Sequence, residues 1–142
     1  MALNDTYSDT LVWGGNGILI SGITTTTNLS EALIDYDGET QTDVIISRLS
    51  SGSYAANYCK SLFPNGQTGY LGAVGEWSAA FNNKSEIALA IGSCGGSQLS
   101  THYWTSTQYN SSKSWMAAWN EESFSDVSKR NETAIRMFCS IE

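Results

Sequence analysis

Apolar side chains recur at helical spacing in residues 51–63, where they form one face of a predicted helix. Ser51 or Ser53 supplies a candidate N-cap, and Pro64, the only proline of the chain, cannot continue a helix. The pattern therefore predicts a helix that ends before Pro64. The apolar positions on its face are Tyr54, Ala55, Tyr58, Cys59 and Leu62.

A second helical pattern lies in residues 72–92. Val74, Trp77 and Phe81 share a face because they are three and four residues apart. Glycines at positions 92, 95 and 96 end the pattern. We therefore expect two helices in the middle of the chain, and we expect Trp77 of the second helix and Trp104 of the strand that follows to be buried in one core.

The pattern on both sides of these helices is that of strands and loops. Residues 10–23 predict a hairpin, since apolar and β-branched positions flank a Gly-Gly-Asn-Gly run. Residues 37–46 predict a turn at Asp-Gly followed by a short apolar stretch, and residues 24–33 are ambiguous. This order predicts an α+β fold in one domain that spans residues 1–142. In its last third, the predicted strands are residues 102–109, 115–119 and 133–141, with turns at 110–114 and at 120–123 or 125–132.

Composition constrains the surface and the partners. Only 15% of the 142 residues are charged, against about 25% in an average domain, so Ser, Thr, Asn and Gly must form much of the surface. The net charge of −7 argues against a nucleic-acid partner. No apolar run approaches the length of about 18 residues that a membrane helix needs. We therefore expect no nucleic-acid binding and no membrane insertion.

Candidate catalytic and metal-binding chemistry is sparse. The chain has three cysteines, no Cys-x-x-Cys pair and one histidine, so the ligands of a structural zinc site are missing. Cys94 and His102 are the elements of a Cys–His–acid triad, but Cys94 lies in the turn Gly-Ser-Cys-Gly-Gly, where a small residue suffices. Glu76 and Glu86 lack a partner motif, and we expect Glu76 to make a structural hydrogen bond. The sequence predicts no enzyme, no cofactor and no metal.

Residues 102–120 interleave three tryptophans and two tyrosines with small polar residues. Because successive residues of a strand face opposite sides, Trp104, Trp115 and Trp119 would anchor the last strands to the core while alternate positions face outward. Tyrosine gives a large contact area at low entropic cost, and serine and asparagine adapt their hydrogen bonds, as in antibody loops. The alternative is that all of these aromatic residues belong to the core.

Several runs of residues resemble the C-terminal domain of collagen-like bacterial adhesins. They are DYDGETQTDVI, YAANYC, GYLGAVGEWSAAFNNKSEI, YWTSTQYNSSKSW and AIRMF, in this order. The resemblance covers about residues 35–142, and residues 1–34 match less clearly. It implies a C-type-lectin-like fold in which two helices pack on a twisted antiparallel sheet. Some relatives of this kind are variable proteins of diversity-generating retroelements in gut bacteria and phages.

The resemblance also implies a function and a binding face. A domain of this family would sit on a phage fibre or on a bacterial surface, hence outside the cell or on the virion, and bind a protein or glycan receptor. The parent protein would present it as a homotrimer. The alternative is a structural or assembly module of a fibre or pilus. The residues expected on the binding face are Tyr109, Asn110, Ser112, Lys113, Met116, Ala118, Asn120, Glu122, Ser123, Ser125, Arg130 and Glu132.

C-type lectins have two further features that bear on this sequence, a calcium site and a disulfide. Trp119-Asn120-Glu121 is similar to the Trp-Asn-Asp strand of their calcium site, with Glu122 and Asp126 nearby, but the companion proline-containing loop is missing. We therefore expect no calcium site. The family's bond between the first helix and the last strand implies that Cys59 lies close to Cys139, as a disulfide or as two thiols.

Overall fold

Helices and short strands succeed one another in the computed structural model, which describes residues 1–2, 10–61 and 68–139. The mixture of helices and antiparallel strands confirms the predicted α+β class. The helices in these residues are α1 (Leu29–Ala32), α2 (Gly38–Leu49), α3 (Ala55–Ser61), α4 (Val74–Asn82) and α5 (Lys84–Ser93). The strands are β1 (Leu11–Val12), β2 (Gly69–Tyr70), β3 (His102–Gln108), β4 (Lys113–Ala118), β5 (Ser123–Ser128), β6 (Glu132–Thr133) and β7 (Phe138–Cys139).

The central sheet is antiparallel and has the strand order β3-β4-β5. Trp104 of β3 lies opposite Met116 of β4, and Trp115 of β4 lies opposite Asp126 of β5. Two short antiparallel pairs, β1 with β6 and β2 with β7, join distant parts of the chain. Within the described residues β5 has one neighbour, so it is an edge strand of the sheet.

Side chains cover both faces of the central sheet. Tyr103 and Trp104 are neighbours in β3 and belong to different core clusters, because consecutive residues of a strand face opposite sides. Trp104 packs in a cluster with Trp13, while Tyr103 stacks on Trp77 of α4 with ring centroids 5.2 Å apart. The prediction that Trp77 and Trp104 are buried is confirmed, since both are 0% exposed. The prediction that they share one core is wrong.

Both predicted helices are present. Helix α3 lies within residues 51–62, and α4 begins the second region with Val74, Trp77 and Phe81 buried as expected. The second region contains two helices instead of one. Asn83 separates them, since its φ of −118° and ψ of 27° depart from helical values.

The strand-and-loop prediction for the first 50 residues is wrong at α1 and at the 12-residue helix α2. The inner face of α2 is mainly polar, so it shows no apolar period. The first residue of the helix must be glycine, because a Cβ at position 38 would lie 2.4 Å from Glu76 Oε1 and 2.7 Å from the carbonyl oxygen of Leu71. The buried residues of α2 are Gly38, Gln41, Thr42 and Ile45.

The predicted hairpin at residues 10–23 is absent, because β1 pairs with β6 and not with the segment that follows it. Gly14, Gly15 and Gly17 adopt positive φ angles of 99°, 60° and 85°, which turn residues 14–20 into a loop. In the pair that β1 forms with β6, Leu11 lies opposite Thr133. The glycine run therefore ends a strand and starts a loop.

Two predictions near the C-terminus are also corrected. Of the two alternative turns, the one at 120–123 is confirmed up to Glu122, whereas strand β5 occupies much of 125–132, with exposed Ser123 and Ser125 on either side of half-buried Phe124. The closing strand predicted at 133–141 is divided into β6 and β7, because these short strands pair with different partners. Residues 140–142 of that prediction lie outside the described residues.

Candidate functional site

A network of polar side chains connects the sheet with the α1–α2 region. Asp35 Oδ2 accepts a hydrogen bond from Thr107 Oγ1 at 2.7 Å, and Asp35 Oδ1 accepts one from Gln41 Nε2 at 2.7 Å. Ser106 Oγ donates to Gln41 Oε1 at 2.9 Å. Because every member has a partner, this network fixes α2 against β3.

Glu76 has the structural role that the sequence predicts. Its Oε1 accepts hydrogen bonds from the backbone N–H groups of Gly38 at 2.8 Å and Ala73 at 3.2 Å, and its Oε2 accepts one from Tyr70 at 2.7 Å. Burial raises the pKa of Glu76, and burial together with the bond to Glu76 raises the pKa of Tyr70. The carboxylate joins β2, α2 and α4.

Four of the predicted binding residues gather at one end of the sheet, where β3 turns into β4. Asn110 Oδ1 accepts hydrogen bonds from the backbone N–H groups of Ser112 and Lys113 at 2.9 and 2.8 Å, which forms the turn. Lys113 Nζ donates to Asp126 Oδ2 at 2.7 Å and lies 5.7 Å from the ring centroid of Tyr109. We call this region the Lys113 end. Arg130 and Glu132 are exposed after β5.

Three more predicted residues lie at the opposite end, in the turn from β4 to β5. Asn120, Glu122 and Ser123 are exposed there, and Asn120 Nδ2 donates to the carbonyl oxygen of Ser100 at 3.0 Å. Glu122 Oε1 lies 3.5 Å from Lys84 Nζ. This Glu122 end is about 17 Å from the Lys113 end along β4. Ser125 is exposed between the two ends.

A groove adjoins the Glu122 end. It has a volume of about 350 Å³ and is lined by apolar and polar residues of α1, α4 and β5 and of the segments next to them. A second depression of about 540 Å³ is lined by Glu31, Asp35 and Asp37 together with three uncharged residues. The residues that line the first groove are Leu29, Leu33, Ser78, Phe81, Asn82, Glu122, Ser123 and Phe124.

Two predicted binding residues do not face outward. Met116 and Ala118 are 9% and 6% exposed, because β4 is the central strand and side chains cover both of its faces. Met116 packs with Trp104 in the core. The prediction that alternate residues of these strands face outward is therefore wrong for β4, and also for β3, in which residues 103–108 are all buried.

Sequence patterns missed two exposed residues near the Lys113 end. Ile18 and Leu19 are 52% and 59% exposed, in the loop of residues 14–20. The backbone N–H of Gly17 donates to the carbonyl oxygen of Ser111 at 2.9 Å, so this loop lies against the turn between β3 and β4. The glycine run before this apolar pair indicates a turn of the chain, but we interpreted it as the turn of a hairpin at residues 10–23.

Within residues 1–2, 10–61 and 68–139, no group of three His, Cys, Asp or Glu residues could hold a metal ion. Of the carboxylates weighed for calcium, Glu122 lies near Lys84, Asp126 binds Lys113, and Glu121 lies 3.8 Å from His102. Each of these three carboxylates therefore faces a different side chain. No helix in the described part of the chain has the length and apolar character to cross a membrane.

All three cysteines are thiols. Cys59 and Cys139 nevertheless lie on either side of Gly69: Cys139 pairs with Gly69 across β2 and β7, and the carbonyl oxygen of Cys59 is 2.7 Å from where a Cβ of Gly69 would be. The implied proximity fits this arrangement, and the implied disulfide is not formed. Cys94 is exposed at the end of α5, and no hydrogen bond among the described residues joins it to His102.

Comparison with known proteins returns no similar one: no family model, no curated protein and no solved structure matches this chain. The side chains themselves are therefore the basis for a functional proposal. Those that combine exposure with a rigid support lie at the Lys113 end, along β5 and at the Glu122 end.

Proposed function

We propose that this chain is a non-enzymatic, C-type-lectin-like domain that binds a protein or glycan receptor through residues 109–132. One observation carries the proposal: buried tryptophans anchor β3, β4 and the turn after β4, while the turns at both ends of β4 and the neighbouring strand β5 present small, polar, exposed residues. Trp104, Trp115 and Trp119 are 0%, 5% and 4% exposed. The indole N–H groups of Trp104 and Trp115 donate to the backbone oxygens of Leu11 at 2.8 Å and Thr26 at 2.9 Å.

Because of this support, the residues that stabilise the fold are different from those that are free to contact a ligand. Rings that are packed and hydrogen-bonded hold the strands in place, so the exposed positions contribute little to the core. Serine and asparagine at such positions offer hydroxyl and amide groups that adapt to different ligands, and the half-buried Tyr109 adds contact area. A face of this kind accepts substitutions without loss of the fold. It therefore suits a receptor-binding domain of a phage fibre or bacterial surface, including a diversified one.

Binding of the labelled domain to arrayed glycans and to a panel of intact bacterial cells tests the proposal. The variant Ser123→Arg/Ser125→Arg places bulk and charge on the exposed side of β5, and we expect it to weaken binding about tenfold or more. Ser85→Arg, on the exposed surface of α5, is the matched control and should bind as the parent does. Equal binding by all three proteins would reject a receptor site in this segment.

A second candidate function is that of an assembly module in a fibre or pilus. It is favoured by β5, a six-residue edge strand without proline, to which a sister subunit can add a strand. Light scattering separates the two candidates. An assembly module would form oligomers that Ser125→Arg breaks, whereas a receptor-binding domain keeps its oligomeric state in this variant. We expect a homotrimer in the parent protein, because trimers raise the avidity of weak sites.

A further inference from the structure

The loop of residues 14–20 presents an adjacent pair of aliphatic side chains to solvent. Ile18 is 52% exposed and Leu19 is 59% exposed. A single exposed aliphatic residue is ordinary, but two neighbours on one short loop form an apolar patch. A flexible loop of this size would gain by folding the pair inward. Instead, hydrogen bonds hold it in this conformation.

The hydrogen bonds come from both sides of the loop. The N–H of Ile18 donates to the carbonyl oxygen of Gly15 at 2.9 Å, and the N–H of Gly17 donates to that of Ser111 at 2.9 Å. Gln108 grips the end of the loop: its Oε1 accepts from the N–H of Ile20, and its Nε2 donates to the Ile20 carbonyl oxygen, both at 3.1 Å. The apolar pair is thus held between two fixed points.

Lys129 adds a third fixed point from beneath the loop. It is 1% exposed, and its Nζ donates to the carbonyl oxygen of Ile18 at 2.9 Å and to Gln108 Oε1 at 2.7 Å. The same Nζ lies 4.5 Å from the ring centroid of Trp13. None of the ion pairs among the described residues includes Lys129.

A buried ammonium group without a carboxylate partner is unfavourable for folding, and burial lowers the pKa of Lys129 to about 8. An apolar residue would fill this space with a smaller penalty to the free energy of folding. What an apolar residue would not provide is the bond to the carbonyl oxygen of Ile18. The buried charge therefore serves to position the loop that carries Ile18 and Leu19.

We infer that Ile18 and Leu19 form a preorganised anchor that inserts into an apolar cleft of a protein partner. The inference rests on the proposed function and names the class of receptor. Two aliphatic side chains match an apolar protein cleft and offer no hydrogen bond to a sugar hydroxyl. Rigid, exposed apolar residues are the kind that carry most of the affinity in protein interfaces.

The surroundings of the anchor supply a polar rim. Ser112 and Arg130 are exposed, and Arg130 enters none of the ion pairs among the described residues. Arg130 directly follows Lys129, which binds this loop, so a carboxylate at the edge of the partner's cleft would complement its charge. The partner surface that fits is therefore apolar in the centre and acidic at the border.

Selection of phage-displayed random peptides on the full chain tests the inference, with the selected peptides then synthesised for titration. Ile18→Ser/Leu19→Ser should weaken their binding about tenfold or more. Lys129→Met keeps the aliphatic stem and removes the bond to Ile18, so it should weaken the same peptides while circular dichroism shows an unchanged fold. The matched control is Leu89→Ser on α5, since Leu89 is 72% exposed. It should change binding less than about twofold.

Three other outcomes would overturn the inference, and each has a different meaning. Peptides lost in Ser123→Arg/Ser125→Arg but kept in Ile18→Ser/Leu19→Ser would leave the proposed function standing and reject the anchor. Recovery of no peptide tighter than about 100 μM would reject a preorganised hot spot. Self-association of the parent chain, or binding to phosphatidylcholine–phosphatidylglycerol vesicles, that the same double variant abolishes would assign the patch to a second copy or to a lipid surface.

Discussion

Apart from the exposed His102, the two halves of β3 are equally buried, and they are held in opposite ways. Tyr103 and Trp104 in the first half are 0% exposed and pack against aromatic and aliphatic side chains. Residues 105–108 in the second half are also 0% exposed, yet they are threonine, serine and glutamine. Each of these polar side chains donates a hydrogen bond; the acceptors lie on Trp115, Gln41, Asp35, Ile20 and Thr25.

The difference shows how one strand can provide both stability and position. Apolar packing is non-directional, so the first half stabilises the fold without fixing any one loop. Hydrogen bonds are directional, so the second half sets the place of α2 through Gln41 and of the 14–20 loop through Ile20. The Lys113 end, with the apolar anchor beside it, adjoins the polar half.

The largest effect is expected in the aromatic half. Trp104→Ala removes a fully buried indole and its bond to the backbone of Leu11, which should lower the free energy of unfolding by about 3–5 kcal/mol. Denaturant unfolding measures the change. His102→Ala, an exposed substitution in the same strand, is the control and should cost less than about 0.5 kcal/mol. A loss below about 1 kcal/mol for Trp104→Ala would contradict the packing of this half.

A smaller loss is expected in the polar half. Gln108→Leu keeps the volume of the side chain but leaves Lys129 Nζ and the backbone of Ile20 without their partner, which should cost about 2–3 kcal/mol. Gln98→Leu is the matched control, because Gln98 is exposed, and it should be nearly neutral. If Gln108→Leu were neutral as well, the polar half would be held by packing and the two halves would not differ.

Lys129 makes the stability of the polar half of β3 depend on pH. Its folded-state pKa of about 8 is lower than the value of about 10.4 for an unfolded lysine, so above pH 8 the folded chain has released a proton that the unfolded chain still holds. Stability therefore rises between about pH 8 and about pH 10 and is lost as the pH falls through 8. Relative to Lys129→Met, we expect a gain of about 1 kcal/mol in the free energy of unfolding from about pH 7.5 to about pH 9. Chemical denaturation of both proteins at each pH measures it, and a constant difference would show that this lysine does not titrate there.

The contrast between the halves also explains which elements the sequence reveals. Helix α4 was predictable because Trp77 and Phe81 mark its buried face with large apolar residues at helical spacing. Helix α2 was not, because Gln41 and Thr42 are buried through hydrogen bonds to Ser106 and to the backbone of Leu71, which are far away in the sequence. A pattern of apolar positions detects packing, and it does not detect an interface made of hydrogen bonds.

The candidate site was predictable to a similar extent. Small polar residues at the turns, such as Ser112 and Asn120, are exposed as expected. Met116 and Ala118 are not, since their exposure depends on which strand is central, and strand order is a property of the tertiary fold. The exposure of Ile18 depends on distant contacts of its loop with Gln108 and Lys129, and the local glycine run indicates only that the chain turns there.

The smallest effect distinguishes hydrogen bonding from packing within the aromatic residues themselves. Trp77 and Trp104 are both 0% exposed, but the indole N–H of Trp77 has no partner among the described residues, whereas that of Trp104 donates to Leu11. Replacing either by phenylalanine removes a similar part of the ring, so the two variants form matched cavities. Trp104→Phe should therefore be the more destabilising by about 0.5–1 kcal/mol, which is the contribution of one neutral hydrogen bond. Urea titrations of the two variants in parallel give this difference. If Trp77→Phe were the more costly, ring packing alone would rank these tryptophans, and directional bonds would matter only in the polar half of β3.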